Sequence, residues 1–272
     1  MNLKLRKIFI ISIIVICIIC INLAVFFKFT ERDKSSKIKE QVVVDTVELT
    51  ENFNDIFDNK VDYQENIVSS TLKKDTSKDL IYTVYTNQEQ KNDKYELNVS
   101  IPRININNNS INNINKEIED IFYKKVENIL KENQNKKTVY SVKYKAYIND
   151  NILSLVIISN LKEGNNSQRV IVKTYNYNIS SNQVLDINQI LNYRGFNNSQ
   201  VQSKINNTIK ESSRKASAYN ELGYSKYIRD INDSMYKVEN TKVFFLGEGK
   251  ALYIIYPYGN SNYTTELDLL VM

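Results

Sequence analysis

Residues 101–122 read IPRININNNSINNINKEIEDIF, and seven of these positions are Asn. Asparagine-rich tracts of low complexity commonly stay unfolded, so the first question is whether this one folds. The apolar residues decide it. Ile111, Ile114, Ile118, Ile121, Phe122, Val126, Ile129 and Leu130 recur at steps of three and four. That spacing draws one apolar stripe along a helix of about twenty residues. Asn109 or Ser110 is placed to cap it, because a short polar side chain accepts from the free amides of a first turn. Glu117, Glu119 and Asp120 fall in the N-terminal half, where the helix dipole favours negative charge. The Asn residues before 110 then read as a loop and a cap, and Asn112, Asn113 and Asn115 as the wet face.

On either side the period changes from helical to alternating. LIYTVYT (80–86) and YELNVSIP (95–102) precede the helix as strands. After it, TVYSVKYKAYI (138–148) places Tyr140, Val142, Tyr144, Ala146 and Ile148 on one face. ILSLVIIS (152–159) is nearly continuous in apolar residues, as a central strand is, and NDN (149–151) joins the two as a hairpin turn. RVIVKTYNYNI (169–179) reads as a third antiparallel strand. A short helix is predicted over 186–192 and a second amphipathic one over 198–215, where Val201, Ile205 and Ile209 form a thin stripe. YKVENTKVFFL (236–246), ALYIIYPY (251–258) and TELDLLVM (265–272) return to strands separated by Gly-containing turns. The fold class is α+β: antiparallel strands with two main amphipathic helices.

Before residue 79 the chain is of a different kind. IFIISIIVICIICINLAVFF (8–27) carries no charge and has the length of a membrane-spanning helix. No small residues mark a cleavage site after it, and Ile16 and Ile19 are too large for a lipoprotein signal ahead of Cys17 or Cys20. The run therefore reads as an uncleaved anchor. Lys4, Arg6 and Lys7 favour a cytoplasmic N-terminus, although Lys28, Arg32, Lys34, Lys37 and Lys39 follow the run. The expected organisation is a short cytoplasmic segment (1–7), the anchor (8–27), a stalk and linker (28–78), and two α+β parts (79–180 and 181–272). Within the linker, 44–57 has the pattern of a short amphipathic helix and 59–78 that of a loop.

Composition excludes several chemistries. The chain has no His and no Trp, and its two cysteines both lie inside the apolar run. Histidine-based triads, imidazole zinc sites, disulfides and thiolate nucleophiles are excluded outside the anchor. No metal or cofactor is expected. From residue 28 onward 33 basic side chains face 31 acidic ones, which gives no electrostatic case for nucleic acid. GEGK (247–250) lacks the spacing of a phosphate loop and reads as a hairpin turn. DINDSM (230–235) starts like a calcium loop, but Met235 replaces the turn Gly. Glu117 and Asp120 lie one turn apart and read as a solvated helix face. The chain has 19 tyrosines, and Tyr253, Tyr256, Tyr258 and Tyr263 surround the YPYGNSNY corner. Tyrosine offers a flat apolar face and a hydroxyl, which suits a recognition surface, and it also half-buries well in strands. This corner and the loop LKEGNNSQ (161–168) are the candidate ligand-binding surface.

The order of these motifs resembles the RsiV/PdaC-type extracytoplasmic region over roughly residues 80–272. The resemblance rests on VSIPRI, the INKEIED helix start around Asn115, NDNILSLVI, YNYNISSNQVLDINQIL and the closing YIIYPYGNSNYTTELDLLV. It implies a PdaC-like part followed by an RsiV-like part. RsiV-like proteins are transmembrane anti-sigma factors whose outer domain binds lysozyme. PdaC-like proteins carry the region ahead of a peptidoglycan deacetylase domain. Seven residues ahead of the anchor leave no room for a sigma-binding segment, and a chain without His holds no metal-dependent deacetylase. The expectation is a non-catalytic, membrane-anchored module of the bacterial cell envelope. Its partner would be lysozyme, another wall hydrolase or a peptidoglycan fragment. The alternatives are an accessory subunit of a membrane signalling or wall-modifying complex, and a glycoside hydrolase working through carboxylates. Two inward acids in a cleft favour the enzyme, and an exposed apolar or tyrosine patch favours binding.

Overall fold

Alternation along the central strands builds two faces, and both are covered. The computed structural model describes residues 56–58, 61–62, 73–131, 136–260 and 263–272. In β4 (Thr138–Asn149) the five residues Tyr140, Val142, Tyr144, Ala146 and Ile148 all enter one core, as their spacing predicts. In β5 (Ile152–Glu163) Leu153, Leu155 and Ile157 enter the same core, while Val156 and Ile158 enter a second one behind it. A strand buried on both sides needs apolar residues at nearly every position, which is why β5 reads as an unbroken apolar run.

Among the described residues β5 lies inside a seven-stranded sheet. Its order is β2 (Ile81–Lys91), β3 (Tyr95–Ile104), β4, β5, β6 (Arg169–Asn178) and β7 (Gln183–Val184), with β1 (Val61–Asp62) on β4. A three-stranded sheet of β8 (Phe244–Leu246), β9 (Leu252–Asn260) and β10 (Tyr263–Val271) stands beside it. The first helix packs on the outer face of the large sheet. Side chains of both sheets meet in the second core, Val156, Ile158, Val170 and Val172 against Phe245, Tyr253, Ile255 and Val271. Helices α3 (Ile187–Arg194) and α4 (Asn198–Glu221) cover the far face of the small sheet through Ile190, Val201, Ile205 and Ile209. The order helix, sheet, sheet, helix gathers the described residues into one compact unit.

Several expectations are corrected. β3 and β4 run parallel, with Tyr95–Val99 beside Thr138–Val142, because the helix between them forms a crossover. β1, read as loop, pairs in parallel with Ala146 and Tyr147 farther along β4. The helix cap is Asn108, whose extended backbone lets its Oδ1 accept from the Ser110 N–H. The helix itself is α1 (Asn109–Ile118), a π turn (Glu119–Tyr123) and α2 (Lys124–Lys131). Its π turn has a cause in the sequence. Ile114, Ile118, Phe122 and Val126 follow in steps of four, and at about 100° per residue each step overshoots a turn by about 40°. One wider turn absorbs the surplus, so all four stay in the core.

Asn115 is not on the wet face. Its carboxamide accepts from the Ile104 N–H and donates to the Ile104 carbonyl, both at 2.9 Å. The β3–β4 pairing has already stopped at Val99, so this side chain replaces a missing strand partner. Only residues 244–246 of the expected strand 236–246 are extended in a ladder; Ser234–Tyr236 and Val238–Asn240 are 3₁₀ turns. Polar side chains satisfy that backbone locally: Asp233 accepts from Met235 N–H, and Gln202 bridges the Tyr236 carbonyl and the Val238 N–H. The expected anchor at 8–27, and all of the helix predicted at 44–57 except Ile56 and Phe57, lie outside the described residues. No helix among the described residues is long and apolar enough to cross a membrane.

Candidate functional site

Two departures from regular backbone face each other across the first helix and the edge of the large sheet. Pro102 has no N–H to give β2. Opposite it the ladder slips: Thr83 pairs with Pro102 and Tyr85 with Ile101, which leaves Val84 as an extra, bulged residue. Bulges re-aim side chains and recur beside functional sites, and so do π turns. Here both line one cleft of about 260 Å³. Val84 and Tyr85 form one wall, Pro102 and Arg103 the floor, and Glu119 and Tyr123 of the π turn the other wall.

The cleft is held in shape. Tyr85 and Tyr123 meet edge to face with ring centroids 4.9 Å apart, a favoured aromatic geometry. Asn87 Nδ2 donates to the Tyr85 hydroxyl at 3.2 Å, while its buried Oδ1 has no hydrogen-bond partner among the described residues. The neighbouring acids on the helix are engaged. Asp120 pairs with Lys116 and Lys124, whose hydrogen bonds hold its carboxyl below the usual range. Glu117 pairs with Lys173. Arg103 and Glu119 are exposed and have no ion pair among the described residues. The cleft therefore presents one cation, one anion and two tyrosine rings beside Pro102. Glu119 is the one carboxylate among its lining residues, so it does not offer the paired acids of glycoside hydrolysis.

The tyrosine corner is placed differently from the sequence expectation. Tyr253 and Tyr256 are 5% and 4% exposed and belong to the core. Tyr253 stacks on Phe245 at 4.6 Å, and Phe245 on Tyr147 at 5.9 Å. A Cβ on Gly247 would stand 2.5 Å from the Tyr253 ring, so glycine is required there for close approach. Tyr256 meets Tyr236 edge to face, and its hydroxyl lies 3.3 Å from Thr241 Oγ1. Burial raises the pKa of both phenols. Neither ring forms an exposed recognition surface, because both faces of β9 are covered. Tyr258 pairs with Glu266 and Tyr263 with Asn260 in the β9–β10 ladder, so these two positions lie toward the far end of that hairpin. Of the candidate loop 161–168, residues 161–163 end β5 in the ladder with β4 and 164–168 make the β5–β6 turn, where the Gly164 N–H donates to the Lys137 carbonyl at 2.8 Å.

The GEGK turn carries a polar cluster. Lys250 Nζ donates to Asp150 at 2.8 Å, and the Tyr193 hydroxyl donates to the same carboxylate. These bonds hold the Asp150 carboxyl low and the Lys250 ammonium high, and they tie the GEGK turn to the β4–β5 turn and to α3.

No family model matches the chain, and no curated protein matches it. Among solved structures it is similar to a DUF3298 family protein from Pseudomonas aeruginosa PAO1, at 10% identity and a TM-score of 0.37. That match covers 65% of this chain and 78% of the other. It is also similar to a member of the same family from Bacteroides fragilis, at 10% identity and a TM-score of 0.35, over 65% and 80% of the two chains. DUF3298 denotes a domain of unknown function, and likeness at this level says nothing about activity.

The cleft residues escaped sequence reasoning because they lie on three elements. Two signals pointed toward them: a proline inside a strand, and three consecutive four-residue steps in a helix.

Proposed function

We propose that this chain is a non-catalytic binding module of the bacterial cell envelope, tethered to the cell membrane by residues 8–27 with residues 28–272 outside. The observation that carries the reading is the cleft between β2 and the π turn, where Arg103 and Glu119 have no ion pair among the described residues and stand beside the Tyr85–Tyr123 pair. Unpaired charge beside aromatic faces suits a ligand with an apolar or sugar face and ionic groups of its own. A peptidoglycan fragment has these parts: sugar rings for the tyrosines, peptide carboxylates for Arg103 and peptide amines for Glu119. The RsiV-type resemblance supports lysozyme, or another wall hydrolase, as the second reading.

The test is titration of the full chain in lipid nanodiscs against muramyl peptides and against lysozyme, by biolayer interferometry at two salt concentrations. Saturable binding of either, weakened about tenfold or more by Arg103→Ala or Tyr123→Ala, is the expected result; one hydrogen-bonded charge is worth about that much. Binding untouched by both substitutions would move the site elsewhere. Absence of binding to both ligands would remove the reading.

A further inference from the structure

Helix α4 ends in a Schellman turn. The Tyr224 N–H donates to the Tyr219 carbonyl and the Gly223 N–H to that of Asn220. Gly223 takes φ +86°, which glycine adopts without strain. The loop that follows is clamped. Asn220 donates to the Lys226 carbonyl and accepts from the Lys226 N–H, and Ser213 Oγ donates to the Arg229 carbonyl. Arg229 is itself buried against Asp268 and Glu266. Tyr219 in the last turn of α4, and Leu222, Tyr224, Tyr227 and Ile228 on this loop, are all exposed, Leu222 by 74% and Tyr224 by 62%. The two rings of the Schellman turn touch edge to face and still face solvent. Five large exposed side chains on a helix end and a loop clamped by hydrogen bonds mark an interaction surface.

We propose that the end of α4 and the loop to Arg229 rest on the anionic headgroup layer of the bilayer. The inference builds on the anchored reading given above. Charge is the first argument. Residues 198–228 carry Lys204, Lys210, Arg214, Lys215 and Lys226 against Glu211 and Glu221. Arg214 and Lys215 share Glu211, and Lys226 pairs with Glu266. With Glu266 counted, cations are still in excess, which anionic lipid attracts. Side-chain type is the second. Tyrosines mixed with leucine and isoleucine and flanked by lysines are the composition of an interfacial segment, whose rings sit at headgroup depth. Leu222, at the tip of the helix, is the side chain placed to enter the acyl boundary. Tethering is the third. A covalent link to a membrane span makes docking intramolecular, so a weak surface suffices.

The chain has no Trp, so one introduced tryptophan is a clean depth reporter. Leu222→Trp and, as a control on another exposed position, Val184→Trp are made in the full chain. Each is reconstituted with vesicles of phosphatidylglycerol and phosphatidylethanolamine, with and without brominated acyl chains. Membrane retention is read separately by flotation after alkaline carbonate. The expected result is a blue-shifted Leu222→Trp emission that bromolipid quenches, weaker in phosphatidylcholine or high salt, while Val184→Trp stays unquenched. Retention without quenching at 222 overturns the lipid surface, leaves the anchor standing and assigns the patch to a protein partner. Quenching at 222 without alkali-resistant retention upholds the surface and removes the anchor. Absence of both overturns both, and equal quenching at 222 and 184 overturns the specific orientation.

Discussion

Arg229 lies inside the protein, its side chain 5% exposed, and reaches two carboxylates. Nε donates to Asp268 at 2.9 Å, and Nη2 donates to Asp268 at 3.1 Å and Glu266 at 3.0 Å. Burial alone would lower its pKa, but the two acids outweigh burial and raise it. Arg229→Ala strands Asp268 in the interior, and the expected cost is about 3–5 kcal/mol in urea denaturation. Arg229→Met combined with Asp268→Leu is expected to cost less than Arg229→Ala alone, since Asp268 is no longer stranded and Glu266 keeps its pairing with Lys226 at 3.3 Å. Glu163 shows the opposite sign of shift. Partial burial raises its pKa, yet Lys125 at 3.0 Å and Arg169 at 2.9 Å bring it below the usual range. The unfolded carboxyl therefore takes up its proton first as pH falls. Glu163 contributes stability above the ordinary glutamate pKa of about 4.3, and that contribution disappears as pH falls through the lower folded value. Melting curves across this acid range are expected to be flatter for Glu163→Gln than for the parent.

The first helix shows how much of an element a few polar residues settle. Asn108 caps it, Asn115 ties it to β3, and the buried Asn105 donates to the carbonyls of Asp75, Lys78 and Asp79. Asn108→Ala is expected to cost about 1 kcal/mol by thermal unfolding. The π turn is a sharper test of element and function together. Asp120 is solvent-facing within it, and its deletion restores an ordinary α period through Phe122 and Val126. Far-UV circular dichroism is expected to change little, because the apolar stripe survives. Tyr123 moves away from Tyr85, so binding at the cleft is expected to fall; unchanged binding would separate the π turn from the site. Helix periodicity is legible in the sequence. The extra residue and the neighbouring bulge were legible only as irregular spacing and a misplaced proline.

At the scale of the molecule the two sheets are joined by side chains reaching backbone. β8 pairs with β9 on one edge. Its other edge is met by the large sheet: Ser154 Oγ accepts from Leu246 N–H, Thr174 Oγ1 from Phe244 N–H, and Asn176 Nδ2 donates to the Phe244 carbonyl at 2.8 Å. Ser154 Oγ also donates to Asn176 Oδ1 at 2.6 Å. Together with the shared apolar core this couples the sheets, and urea unfolding is expected to be one transition by fluorescence and circular dichroism alike. Asn176→Ala leaves a buried carbonyl unmet and is expected to lower stability by about 1–3 kcal/mol. Two separated transitions would show that the sheets fold independently.

The sequence by itself determined the α+β class, the core face of β4, the central character of β5 and the apolar stripe of the first helix. These follow from local period, which needs no knowledge of the rest of the chain. Tertiary structure alone decided whether a face is covered. Period 2 says that Tyr253 and Ile255 share one side of β9 and Ile254 and Tyr256 the other. It does not say that a sheet closes one side and two helices the other, which is what places both tyrosines in the core. For the same reason the cleft was out of reach of the sequence. Tyr85, Arg103 and Tyr123 become neighbours only when a bulge, a strand end and a π turn are packed together, and nothing local to any of the three dictates that meeting.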